Sequence, residues 1–284
     1  MDSRPIGIFD SGLGGLTALR ALRRFLPEEN IVYFADSGRV PYGEKTREQL
    51  RCMAQQNLAF ISSFDVKAIL VACGTMSSTC GDLLDAWPVP TVGVLYSSAD
   101  WMRRLEGDGP IAVIATEASI RSGSYQKALK AACPNREVAA VSCPDFVPLI
   151  EGGHIDPEDP LLRDAVARYL RPVREAKAEA LLLGCTHYGI IERAVSAYLG
   201  PEVTLVSAAE SGAAALCSRL LKEKQTGGSG RTAYYTSGKA EDFSEAAALF
   251  LGCDKEEIRA EAIPPKPIAE DGGDRPRENR RTQP

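Results

Sequence analysis

Two of the eight cysteines stand in near-identical surroundings. Cys73 closes the stretch Ile69-Leu70-Val71-Ala72-Cys73-Gly74-Thr75, and Cys185 closes Leu181-Leu182-Leu183-Gly184-Cys185-Thr186-His187. Each has an apolar run before it, small polar residues beside it and a helical pattern after it. A thiol at the end of a buried strand and ahead of a helix lies near amides that can hold a carboxylate and lower the thiol pKa below its ordinary value of about 8.5. Two such groups on opposite faces of a substrate carbon can invert it without a cofactor, the thiolate removing a proton while the thiol delivers one. A single strand-end cysteine is more often a buried structural thiol. The matched pair argues for chemistry. Cys52 and Cys217 fall inside amphipathic helical patterns, and Cys80, Cys133, Cys143 and Cys253 lack comparable polar company, so these six read as structural.

Other polar groups gather beyond apolar runs, where open α/β sheets carry their functional residues. Asp10 and Ser11 follow the first run, and Thr116 and Ser119 follow the fifth. The segment FDSGLGGLTALR resembles a dinucleotide fingerprint, but its third glycine would have to stand at position 17, which is Thr17, and no Walker lysine follows. Asp10 and Ser11 then either face a ligand or cap the helix that begins near Leu16. The loop Arg39-Val40-Pro41-Tyr42-Gly43 offers a phenol and a bare amide to a small polar ligand, or is an ordinary turn. Of the two histidines, His187 neighbours Cys185 and can supply positive charge or relay a proton, whereas His154 reads as a loop residue. Two histidines and unpaired cysteines do not make a convenient metal site, and no metal is expected.

The elements that must position these residues alternate along the chain. Short apolar runs recur at Ile6–Phe9, Ile31–Phe34, Ala68–Val71, Thr91–Val94, Ile111–Ala115, Val138–Ser142, Ala180–Leu183, Val203–Val206 and Thr232–Tyr235. Helical patterns lie between them, at Leu16–Phe25, Arg47–Ser62, Gly123–Ala132, Leu161–Glu175, Ile190–Leu199, Glu210–Lys222 and Glu241–Leu251. That alternation predicts an α/β protein with largely parallel sheets. At 284 residues two compact units are favoured over one. The formal charge of −5 and the absence of a basic stripe argue against direct binding of nucleic acid. The apolar stretch at Ile6–Phe9 is too short for a secretory segment and nothing approaches a membrane span, so a cytoplasmic protein with reduced thiols is expected. From about Ile263 the composition turns to Pro, Gly and charge, and the tail 263–284 is expected to be disordered.

Taken together, these blocks resemble the glutamate racemases of the aspartate/glutamate racemase superfamily. The likeness runs nearly the whole chain, from IGIFDSGLGGLTALRAL through VYFADSGRVPYGEKT, VACGT, ATEASIRSGSYQKAL, CPDFVPLIEGG and LLLGCTHYG to YYTSGKAEDFSEAAALFLG. The resemblance implies two flavodoxin-like α/β domains, residues 1–97 with 207–262 and residues 98–206, with the active site in the cleft between them. It implies conversion of L-glutamate to D-glutamate for peptidoglycan synthesis, with no pyridoxal phosphate or other cofactor, by a cytoplasmic homodimer. Carried over at matching positions, Cys185 deprotonates L-glutamate and Cys73 reprotonates it, the roles exchanging in reverse. Asp10, Ser11, Tyr42, Gly43, Gly74, Thr75, Ser119, Glu151, Thr186 and His187 become substrate-site residues, with Asp10 and His187 also assisting the thiols.

The chain departs from the family pattern at Gly74, where Asn is usual, at Gly189, where Pro is usual, and at Ser207, where Asp is usual; Ser119 replaces a common Thr and keeps the hydroxyl. Losing the amide at 74 removes a bond to a substrate carboxylate of roughly 1.5–3 kcal/mol, which predicts one to two decades less rate or affinity, or altered substrate choice. Competing readings are an aspartate racemase or other superfamily isomerase, and a catalytically weak regulatory protein acting on a partner such as DNA gyrase. Retention of both cysteines with Thr186 and His187 favours racemization of glutamate.

Overall fold

The computed structural model describes residues 2–267. Ten strands form two sheets: β1 (Ile6–Asp10), β2 (Ile31–Ala35), β3 (Ala68–Val71), β4 (Thr91–Gly93), β5 (Ile111–Ala115), β6 (Val138–Ser142), β7 (Ala180–Leu183), β8 (Thr204–Ser207), β9 (Thr232–Thr236) and β10 (Ala260–Ala262). The first sheet runs β10-β9-β2-β1-β3-β4 and the second β6-β5-β7-β8, and every ladder is parallel. Because helices cover both faces of such a sheet, its central strands are apolar on both sides. That is why β1, β2, β3, β5 and β7 read as unbroken apolar runs and are buried throughout.

The order β2-β1-β3-β4 in the first sheet repeats as β6-β5-β7-β8 in the second. In each, the strand order reverses between the first and third members, and the crevice at that switch point is where ligands bind in open α/β folds. β1 with β3, and β5 with β7, are these pairs. The equivalence of Cys73 after β3 and Cys185 after β7 is thus topological as well as local.

On the first sheet, α1 (Leu16–Phe25) packs with α11 (Ala208–Lys222) and α12 (Ala240–Leu251) around Leu16, Leu19, Leu22, Leu216 and Leu220. The opposite face is closed by α2 (Arg47–Ser62), which starts with a reciprocal capping box between Thr46 and Gln49. On the second sheet, α9 (Pro160–Glu175) begins with Asp159 accepting two backbone amides and Pro160 in the first turn, and buries Leu162, Val166 and Leu170. The other face packs α5 (Val94–Arg103) and α7 (Ser124–Ala132). Helix α11 contacts both α1 and α5 and so joins the two layers. The departure at Ser207 is absorbed here, since its hydroxyl accepts the Glu210 amide and caps α11.

All nine expected strands form, within a residue or so of their expected ends, and the seven expected helices form too. The helix expected after Cys73 forms as α3 (Gly74–Thr79), but the pattern did not expose α4 (Gly81–Asp85), α5, α6 (Glu117–Arg121), α8 (Phe146–Glu151) or β10. Most of these are five- or six-residue helices, too short for a 3.6-residue period to repeat, and β10 is a three-residue edge strand without β-branched residues. Helix α10 (Glu192–Leu199) starts two residues after the expected Ile190, because Thr186–Gly189 first forms a 3-10 turn. At the tail, Ile263 still donates its amide to the Thr236 carbonyl at 2.7 Å; most of the expected disordered segment lies outside the described residues. Among the described residues no helix is long and apolar enough to cross a membrane.

Candidate active site

Both switch points open toward each other, and the two cysteines are buried there, Cys73 at 3% and Cys185 at 8% exposure. Their loops touch. A methyl group built on Gly74, just after Cys73, would overlap the carbonyl oxygen of Gly184, just before Cys185. The expected helix after Cys73 exists as α3, with Cys73 at its N-cap position and no side-chain cap bond. Burial, with the negative charge of Asp10, raises the Cys73 thiol well above its ordinary value against the lowering pull of the Met76 amide and Ser11. The expectation that helix amides would depress both thiols therefore fails at Cys73, because the α3 amides face a group removed from water. At Cys185 the helix is replaced by the 3-10 turn, and the neighbouring charge comes from a side chain instead.

That side chain is His187. Its Nδ1 lies 3.9 Å from Cys185 Sγ and its Nε2 lies 3.1 Å from Glu151 Oε1 at the end of α8. Burial lowers its pKa, but the hydrogen bonds with Cys185 and Glu151 and the charges of Cys185 and Asp10 outweigh it and push His187 up to about 10. An imidazolium is thus held beside one sulfur while the other faces a carboxylate. Gly14 makes room for the ring, since any side chain there would overlap His187 Nδ1.

Asp10, at the end of β1, is fully buried; one oxygen accepts the amides of Gly12 and Gly15 at 3.1 and 2.9 Å. Its other oxygen accepts the Thr186 hydroxyl at 3.2 Å, a bond between the two sheets' loops. Asp10 thus holds the turn that precedes α1 and also reaches the Cys185 loop. Burial raises its carboxyl, against the His187 charge and those three donors.

A chain of hydroxyls crosses the cleft on the other side: Thr75 to Thr116 at 3.0 Å, Thr116 to Ser119 at 2.9 Å and Ser78 to Ser119 at 3.1 Å. Gly43 faces Thr116, a methyl on it lying 3.7 Å from Thr116 Cβ. The Tyr42 phenol turns inward, donating to Asp36 and accepting from Asn57 at 3.0 Å, so what this loop presents to the cleft is backbone. Asp36 is a hub the sequence did not reveal: it is fully buried and also receives Arg39 at 2.7 Å and Ser237 at 2.6 Å. Tyr125, on α7, was likewise missed; its hydroxyl donates to Gly184 O at 2.8 Å. An Asp one residue past β2 was the only available hint for the first, and nothing in the local pattern marks the second.

A cavity of about 690 Å³ lies behind His187 and Glu151, lined also by Arg20, Arg24 and Phe250, but neither thiol opens into it. All eight cysteines are free. Among the described residues no group of three or more His, Cys, Asp or Glu is arranged to hold a metal ion.

Comparison with known proteins gives a consistent picture. The family described as Asp/Glu/Hydantoin racemase matches residues 17–216. The glutamate racemase of Desulforudis audaxviator is 36% identical over 268 residues, spanning 91% of this chain and 97% of that one. Among solved structures, a glutamate racemase isoform from Bacillus anthracis aligns with a TM-score of 0.86 and 29% identity, over 93% of this chain and 98% of that one. The glutamate racemase of Francisella tularensis, solved in complex with D-glutamate, aligns at 0.83 with 31% identity and the same coverage.

Proposed function

The chain belongs to the Asp/Glu/Hydantoin racemase family, and from that premise we propose that it interconverts L- and D-glutamate with two thiols and no cofactor, supplying D-glutamate for peptidoglycan. The observation that carries the mechanism is the opposite charge around two topologically equivalent cysteines. Cys73 is kept as a thiol by burial and by Asp10, while the His187 imidazolium stands 3.9 Å from the Cys185 sulfur.

In the L-to-D direction the Cys185 thiolate takes the α-proton from one face of L-glutamate. The Cys73 thiol gives its proton to the other face, leaving D-glutamate, a Cys185 thiol and a Cys73 thiolate. The reverse reaction runs from that state with the roles exchanged. Asp10 accepts the α-ammonium group, the Gly43, Thr75 and Thr186 backbone and hydroxyl groups take the carboxylates, and Ser11 and Ser119 complete the polar lining. Glu151 keeps His187 charged and oriented through its 3.1 Å contact.

The test is circular dichroism of reduced protein with each glutamate enantiomer and no added pyridoxal phosphate, beside Cys73→Ala and Cys185→Ala. Wild type is expected to carry either enantiomer to zero signal, and each variant to lose at least about 10³-fold in rate, as removal of an essential acid or base does. Racemization that survives either substitution would sink the two-thiol mechanism, and turnover of aspartate in place of glutamate would move the substrate.

A further inference from the structure

Tyr125 is a buried titratable side chain that the two-thiol chemistry leaves unused. It stands in the first turn of α7, which Gly123 enters with φ +69°, and it is fully buried. Its hydroxyl donates to the Gly184 carbonyl at 2.8 Å, while the Gly184 amide donates to Ile114 O at 2.8 Å at the end of β5. The residue preceding Cys185 is thus held by both of its backbone polar groups. Its α-carbon is wedged too: a methyl on Gly184 would lie 2.9 Å from Ile114 O and 3.2 Å from Tyr125 Cζ.

Gly74 presses on the same carbonyl from the other loop. Any side chain at 74 would overlap Gly184 O, and its first carbon would stand 3.2 Å from Tyr125 Oη. One carbonyl oxygen is therefore shared between the residue that follows the first thiol, the phenol, and the peptide that leads into the second thiol. Burial and the charges of Cys185 and Cys73 raise the phenol far above its ordinary value, so it remains a donor throughout.

We propose that Tyr125 is a positioning residue: its hydroxyl, by holding the Gly184 carbonyl against Gly74, fixes the Cys185 sulfur relative to Cys73. Its kinetic consequence rests on the two-thiol reading; its structural half does not, and the experiment separates them. Tyr125→Phe removes only the hydroxyl, and Gly74→Ala displaces the same carbonyl from the opposite side. In reduced, folded protein, iodoacetamide labelling mapped by mass spectrometry should show Cys185 alkylation altered about fivefold or more in each variant, the effect of losing roughly one hydrogen bond. Cys52 and Cys253, half-exposed and remote, serve as unchanged controls.

With glutamate, Tyr125→Phe is expected to lower kcat about tenfold with KM within about twofold, again the scale of one hydrogen bond. Because the enantiomers have equal free energy, kcat/KM must stay equal in the two directions, so the α-deuterium isotope effect is the discriminating readout. It should rise where Cys185 abstracts the proton. The double variant should lose less than the product of the single losses, since both act on one carbonyl. Unchanged Cys185 alkylation with an unchanged isotope effect overturns the proposal. If wild type leaves glutamate untouched, the racemase reading falls, and the alkylation comparison alone decides whether Tyr125 sets Cys185.

Discussion

At the scale of single residues, the site depends on a histidine kept charged in the interior. His187 has a folded pKa of about 10 against an ordinary 6.5, so the folded state binds the extra proton and gains stability from it. That contribution is fully present below about pH 6.5 and is lost as pH rises through about 10. Denaturant unfolding as a function of pH should therefore show wild type weakening across this window, and His187→Asn should flatten that slope. Equal slopes would mean that the ring is neutral when folded. Replacing Glu151 by Gln removes one of the contacts that raise His187, so the alkaline limb of kcat/KM should move to lower pH. A limb that stays in place would leave Glu151 without this role.

Among the elements, the decisive one is the loop between β2 and α2, whose backbone at Gly43 faces Thr116. Its shape depends on Asp36, where four side chains converge on one fully buried carboxylate. Asp36→Ala leaves the mostly buried Arg39 guanidinium without its carboxylate, and breaking a buried pair in this way costs about 3–5 kcal/mol. The expected outcome is a lower melting temperature together with a raised KM for glutamate, measured on the same preparation. Loss of stability with KM unchanged would confine Asp36 to the fold. Asp36 was not legible as a hub because its partners Asn57 and Ser237 lie 21 and 201 residues away. The short helices α6 and α8, which carry Ser119 and Glu151, were invisible for a related reason: no periodicity develops in five or six residues.

Across the whole molecule, both thiols are buried where the loops of the two sheets meet, and the racemase reading predicts that substrate enters as the two halves part. Gly43 and Thr116 supply a test, since 3.7 Å between a carbon built on one and Cβ of the other suits a disulfide. In G43C combined with T116C, the oxidised form is expected to lose glutamate turnover, and dithiothreitol should restore whatever activity the reduced double variant has. Turnover undiminished by oxidation would place the entry route elsewhere.

The sequence by itself determined the parallel α/β architecture, nine of the ten strands and the pairing of Cys73 with Cys185, because buried strands write unbroken apolar runs and the polar residues beyond them are local in the chain. It also marked Gly74 as an unusual residue, but gave the position only the meaning of a lost amide. Tertiary structure decided the rest. The Gly184 carbonyl occupies the space a side chain at 74 would need, Asp10 reaches Thr186 across 176 residues, and the phenol of Tyr42 turns away from the cleft. It also decided which thiol faces a cation and which a carboxylate, because charge acts over a few ångströms of space whatever the separation along the chain.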